Sequence, residues 1–163
     1  MTFAVVRLRG KGDLASPVKD TLRMLHLTRQ NHCVFVPEDA TYRGMLQLVK
    51  DHVTWGEIDA EVLAKLLLRR GRAAGDKPID DAFVKAHSPF KSIWDLAQAI
   101  AKGDATLRDV QEMRPLLRLH PAVKGLRGIK RGYHDRGDLG YRGKAINALL
   151  QRMIFEEASG RGP

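Results

Sequence analysis

His32–Ile58 reads HCVFVPEDATYRGMLQLVKDHVTWGEI, and its apolar periodicity changes twice along the way. His32–Val36 (HCVFV) is β-branched and aromatic and stops at Pro37, which has no N–H for a ladder; it predicts a strand. Thr41 stands where a side-chain oxygen can cap a helix, and Tyr42, Met45, Leu46, Val49 and Val53 then fall at helical spacing. Val53–Ile58 (VTWGEI) returns to strand composition. Working outward, Phe3–Arg9 (FAVVRLR) predicts an earlier strand, with Ala4, Val6 and Leu8 on one face. Its other face starts with Phe3 and Val5 and ends with Arg7 and Arg9. Between these strands, Ser16 as N-cap and Pro17 at the first helical position open a helix whose Val18, Leu22 and Leu25 face the core. The order β-α-β-α-β predicts an α+β fold, a small sheet with two helices packed on one face.

Beyond this module the chain reads as mostly helical. Asp59 can cap a helix carrying Val62, Leu63, Leu66 and Leu67 that ends at Arg69-Arg70-Gly71. Arg72–Pro78 has the composition of a hinge or linker, Asp80–Lys85 of a short helical turn, and Ser92 starts a helix with Ile93, Leu96, Ala97 and Ile100 on one side and Gly103 at its end. Thr106 and Asp109 have capping-box spacing at the start of a possible helix to Met113. Leu116–His120 and Gly128–Arg131 could pair as a hairpin. Arg142–Phe155 is an amphipathic C-terminal helix, with Ala145, Ile146, Leu149, Leu150, Met153 and Ile154 on its apolar face. Trp55 and Trp94 are expected in the core.

The charge is unevenly placed. Residues 114–163 carry eleven Lys and Arg against four Asp and Glu, so +7 of the chain's +9 falls in its last third. Arg114–Lys144 (RPLLRLHPAVKGLRGIKRGYHDRGDLGYRGK) spaces these cations with glycine and sets Tyr133, His134 and Tyr141 among them. Such a segment suits an extended polyanion with stackable rings, which describes RNA: Arg and Lys neutralise phosphates, and rings or guanidinium planes stack on unpaired bases. Lys19, Arg23 and His26 repeat at helical spacing as a cationic ridge, and Tyr-Arg-Gly occurs at helix starts at both Tyr42 and Tyr141.

The chemistry of an enzyme is missing from the pattern. Cys33, the single cysteine, sits within an apolar strand run, where a buried thiol is the ordinary outcome. The six histidines form no His-x-x-x-His pair and have no Cys-x-x-Cys partner, so no metal is expected. Gly137–Ala145 (GDLGYRGKA) has the wrong glycine spacing for a phosphate loop, and Ala145 stands where Ser or Thr would hold magnesium. No catalytic residue, cofactor or small-molecule substrate is expected. No apolar run approaches the ~20 residues of a membrane span, and MTFAVVRLRG lacks the apolar stretch of a signal peptide, so a cytoplasmic protein is expected.

Long ordered blocks, FAVVRLRG, DTLRMLHLTRQNHCVFVPED, TYRGMLQLVKDHVTWGEID, LRLHP, GLRGIKRGY and LGYRGKAINALLQRMI, resemble large-subunit ribosomal protein thirty, the universal L-thirty family, in its archaeal type. The resemblance covers almost the whole chain; the bacterial form corresponds to about residues 1–58. It implies a ferredoxin-like β-α-β-α-β module over residues 1–58 and an archaeal and eukaryotic extension over residues 59–163, with helices, a basic Gly-rich loop or hairpin and a C-terminal helix. It further implies a structural constituent of the large ribosomal subunit that binds rRNA, near the 5S rRNA and beside other ribosomal proteins, with no catalysis. Matched onto this sequence, the RNA-binding candidates are Arg9, Lys11, Lys19, Arg23, His26, Tyr42, Arg43, Arg118, Lys124, Arg127, Lys130, Arg131, Tyr141, Arg142 and Lys144. An RNA chaperone of the same fold acting outside the ribosome is the rival from the same residues.

Overall fold

A computed structural model describes residues 1–10 and 12–154; Lys11 and the part of the C-terminal helix predicted at Phe155 lie outside the described residues. The module predicted from the first third is present. Strand β1 (Thr2–Arg7) pairs antiparallel with β2 (His32–Pro37) on one side and with β3 (Val53–Glu57) on the other. Helix α1 (Ser16–Met24) and helix α2 (Ala40–Leu48) connect them. The extension adds α3 (Ala60–Arg70), α4 (Asp81–His87), α5 (Ile93–Lys102), the short strands β4 (Leu117–Arg118) and β5 (Gly140–Tyr141), and α6 (Ile146–Ile154). β4 joins the outer edge of β2 and β5 the outer edge of β3, giving the order β4-β2-β1-β3-β5.

The sheet is covered on both faces, not on one. Period-two alternation in β1 sends Phe3 and Val5 to one side and Ala4, Val6 and Leu8 to the other. The first group packs with Val34, Val36, Val53 and Trp55 against Leu22, Leu25, Leu46 and Val49 of the α1–α2 layer. The second packs with Cys33 against Leu63, Leu66 and Leu67 of α3, Leu96 and Ile100 of α5, and Ile146 and Leu150 of α6. Each such side chain is worth ~1.5–3 kcal/mol of burial, so the extension stabilises the sheet as much as the module's own helices do.

Several local readings shift. Asp39, not Thr41, caps α2, its carboxylate accepting the Thr41 and Tyr42 N–H groups. Ala15 precedes α1, so Ser16 is its first residue and not its cap. Val53 belongs to β3, and α2 ends before it. Arg72–Pro78 is a bridged turn, with Ala73 also paired to Met113, and not a hinge. Thr106–Met113 makes one 3-10 turn (Leu107–Asp109) in place of a helix. Leu117 pairs with Cys33, because its buried side chain completes the sheet edge, so the hairpin with Gly128–Arg131 does not form. Trp55 is buried, whereas Trp94 is exposed on α5.

Candidate nucleic-acid interface

The two ends of the sheet differ in charge. At the end where β1 stops and β2 and β3 begin, here the Arg7 end, Arg7 and Arg9 meet Arg29, His32, His52 and Arg118. Asn31 N–H donates to Arg7 O at 2.7 Å, Arg9 N–H to His52 O at 3.2 Å, and Arg118 lies opposite His32 in the β2–β4 ladder. Arg7 is buried and turned into the backbone: its Nη1 donates to Leu27 O at 2.7 Å and its Nε to Arg9 O at 2.9 Å. It lines a cavity of about 520 Å³ together with Lys19 and Arg23 of α1. Crowding of cations here acts on the histidines. Burial, then Arg118 and Arg29, pull His32 below the usual imidazole range; burial, then Arg9, do the same to His52.

The basic segment leaves from this same end, since Leu119 N–H donates to Asn31 O at 3.0 Å. It is then held to the last turn of α6: His120 N–H donates to Met153 O and Val123 N–H to Arg152 O, each at 3.0 Å, and Arg152 Nη2 donates to Gly125 O at 2.9 Å. Residues 128–139 close on themselves as a compact loop. Tyr133 N–H donates to Leu139 O (2.7 Å), Asp138 N–H to Gly128 O (2.9 Å) and Leu139 N–H to Arg131 O (3.2 Å). Gly137 is required there, because a Cβ would stand 2.0 Å from Arg131 O. The exposed rim of this segment carries Lys124, Arg127, Lys130 and Arg131.

Arg142 is the exception among the candidates. Its guanidinium is buried beneath the loop, where Nε donates to Thr54 Oγ1 (2.8 Å) and Nη2 to Asp138 O (2.6 Å) and Oδ1 (3.2 Å). The other Asp138 oxygen accepts Gly128 N–H at 3.0 Å. The Arg142 and Arg127 guanidinium carbons both lie over the Tyr133 ring, 5.0 and 5.1 Å from its centroid. Burial lowers the Arg142 pKa and Asp138 opposes that shift.

The remaining candidates are dispersed. Lys19 and Arg23 are exposed on α1, on the opposite face of the sheet from α6. His26 lies past the end of α1 in a left-handed conformation, its Nε2 3.3 Å from an Arg108 Nη2. Tyr42 is half-buried, and exposed Arg43 is ion-paired with Glu38. Arg118 is exposed and lies 3.6 Å from Asp76. Tyr141 donates its hydroxyl to Glu57, which raises its pKa, and Lys144 is exposed just after it. The two Tyr-Arg-Gly runs are therefore unlike: one Arg faces outward to Glu38, the other inward to Asp138. Arg7, Arg29 and Arg152 were missed by the sequence reading; the strand alternation that turned Arg7 off the apolar face was the available signal.

The profile of ribosomal protein L30p/L7e matches residues 3–53. Large ribosomal subunit protein uL30 of Archaeoglobus fulgidus is 48% identical over 151 residues, covering 93% of this chain and 99% of that protein. The chain belongs to the uL30 family. The uL30 proteins of Methanothrix thermoacetophila and Methanoculleus marisnigri are 47% and 46% identical over the same coverage. Family membership makes it a ribosomal protein of the large subunit, not an enzyme, and the identity extends well past the module into the extension. Among the described residues no helix is long and apolar enough to cross a membrane.

Proposed function

We propose that this uL30 chain binds and positions large-subunit rRNA as a structural constituent, through phosphate and 2′-hydroxyl contacts. The contact surface runs from the Arg7 end of the sheet along the exposed rim of the basic loop. The observation that carries this reading is the row Lys124, Arg127, Lys130 and Arg131 on a loop that its own hydrogen bonds and α6 hold in place. Such a row neutralises successive phosphates with bidentate Arg and point-charge Lys contacts, and the loop pays little ordering entropy on binding. Arg9, Lys19, Arg23 and Arg118 extend the same surface at the Arg7 end, and Lys11, outside the described residues, stays a candidate on its sequence alone. Arg142 serves it from below by holding the loop, and His26 and Tyr42 are secondary candidates, whereas Arg43, Tyr141 and Lys144 stand towards the other end of the sheet and are left out of this surface. Residues 1–58 act as the rigid positioning module and residues 59–163 as the extension that carries most of the charge. The family resemblance supports 5S rRNA as a neighbour, together with other large-subunit proteins in the cytoplasmic ribosome. Residue-resolved crosslinking in large subunits purified by sucrose-gradient sedimentation tests this: crosslinks from Lys124, Lys130 and Arg131 to rRNA are expected. A tagged chain sedimenting apart from ribosomal particles would instead support an RNA chaperone acting outside the ribosome.

A further inference from the structure

At the opposite end of the sheet, where Thr2 faces Pro37 and Phe3 faces Glu57, the surface has a different character. A cleft of about 400 Å³, within the ~300–1,000 Å³ range of ligand sites, opens beside α2. Its apolar side is Phe3, Trp55 and Tyr141. The Tyr141 ring stands 6.3 Å from each of the other two, edge-on to Phe3 and tilted to Trp55, and Tyr141 is 44% exposed. Its polar rim is Glu38, Glu57 and Arg43. Asp39, Asp59 and Glu61 follow these strands at the same end, against Lys144, the N-terminal amine and Lys65, which pairs with Glu61, so this end lacks the cationic excess of a chain of net charge +9.

We infer that this cleft receives an arginine side chain from a basic segment of a neighbouring protein. Tyr141, the exposed ring of the three, is the surface a guanidinium can lie against, and Glu57, already fixed by the Tyr141 hydroxyl, offers a carboxylate beside it. A nucleotide would find the same rings, but its phosphate would face the Glu57 carboxylate and a Glu38 that already holds Arg43. The large-subunit reading enters only in the kind of partner, a protein with basic segments. The cleft and the basic loop are at separate places and can fail separately.

The test uses the full chain carrying Trp94→Phe, which leaves Trp55 as the single tryptophan reporter. A synthetic peptide of alternating arginine and glycine is titrated at low salt, alongside its lysine counterpart and a single-stranded RNA oligonucleotide. Saturable change in Trp55 emission with the arginine peptide is expected, weaker with lysine. Glu57→Gln, which keeps an acceptor for the Tyr141 hydroxyl, should weaken it roughly fivefold, the scale of one partly exposed charge-assisted contact, and Tyr141→Ala should weaken it too. RNA binding should be unaltered by Glu57→Gln. No saturable response, or a response indifferent to Glu57→Gln, overturns the inference. So does an RNA oligonucleotide that gives the same Trp55 change, which would make the cleft part of the RNA surface.

Discussion

Asp138→Ala separates a loop that is held from below from one that is merely basic. Arg142 and Asp138 side chains are 5% and 4% exposed, and the guanidinium's neighbours are Asp138, Thr54 and the Tyr133 ring. Removing the carboxylate leaves a buried cation without its counter-charge, which costs ~3–5 kcal/mol. It also strips Gly128 N–H of its acceptor, ~1 kcal/mol more. At ~2–4 °C per kcal/mol for a chain of this size, the midpoint of thermal unfolding should fall by about 15 °C, read by circular dichroism. Arg142→Met with Asp138→Asn removes both charges and should recover part of that loss, because an apolar replacement of a buried pair is often near neutral. Each variant should retain the salt dependence of RNA binding at temperatures where it is folded. A loss below ~1 kcal/mol for Asp138→Ala would refute the buried pair as the loop's anchor. An Arg142→Met variant of unchanged stability whose salt slope falls would make Arg142 a phosphate contact instead.

Lys130→Ala and Arg131→Ala should each weaken binding to rRNA fragments and reduce the slope of log affinity against log salt by ~0.7–0.9 per lost phosphate contact, measured by titration across salt concentrations; unchanged slopes would remove them from the interface. Gly56→Ala puts a Cβ 1.8 Å from Gly143 O, so β3 and the turn into α6 must separate; a loss of ~1–3 kcal/mol in urea unfolding is expected. His32 and His52 have folded pKa values below their unfolded ones, and their buried Nδ1 atoms have no partner among the described residues. The unfolded chain therefore binds more protons, so this contribution is full above the unfolded imidazole value of ~6.5 and is lost as pH falls through it. His32→Gln should flatten that acidic slope in urea midpoints collected from pH 8 to pH 5.

What could be read from the sequence depended on the distance over which each feature is decided. Alternation in Phe3–Arg9 put Ala4, Val6 and Leu8 on one face and Phe3 and Val5 on the other, as observed, and the α5 repeat with Ser92 before it and Gly103 after it matches the observed cap and left-handed terminus. Those are local. The second covered face was not legible, because the α3, α5 and α6 stripes do not state which surface they meet. The fate of the basic loop was less legible still: Thr54 and Arg142 are 88 residues apart, and nothing in GYRGK says that the arginine turns inward. Glycine spacing reads as flexibility, yet Gly137 is there because the loop closes tightly on Arg131.

The paired antiparallel strands give the molecule a direction. β1 delivers Arg7 and Arg9 to one end of the sheet and begins at the other beside Pro37, Glu38 and Glu57. β4 and β5 sit on opposite edges, so the segment between them must travel from one edge to the other, and it does so by way of the last turn of α6. That turn lies near the Arg7 end, because α6 starts at Glu57, where Asn147 Nδ2 donates to Glu57 O at 3.1 Å, and runs back along the sheet. The route thus adds the loop's exposed cations to an end that is already basic and leaves the acid-rimmed aromatic cleft at the other. A surface divided this way can engage polyanion at one end while a cationic protein segment occupies the other, without the two competing for the same charges.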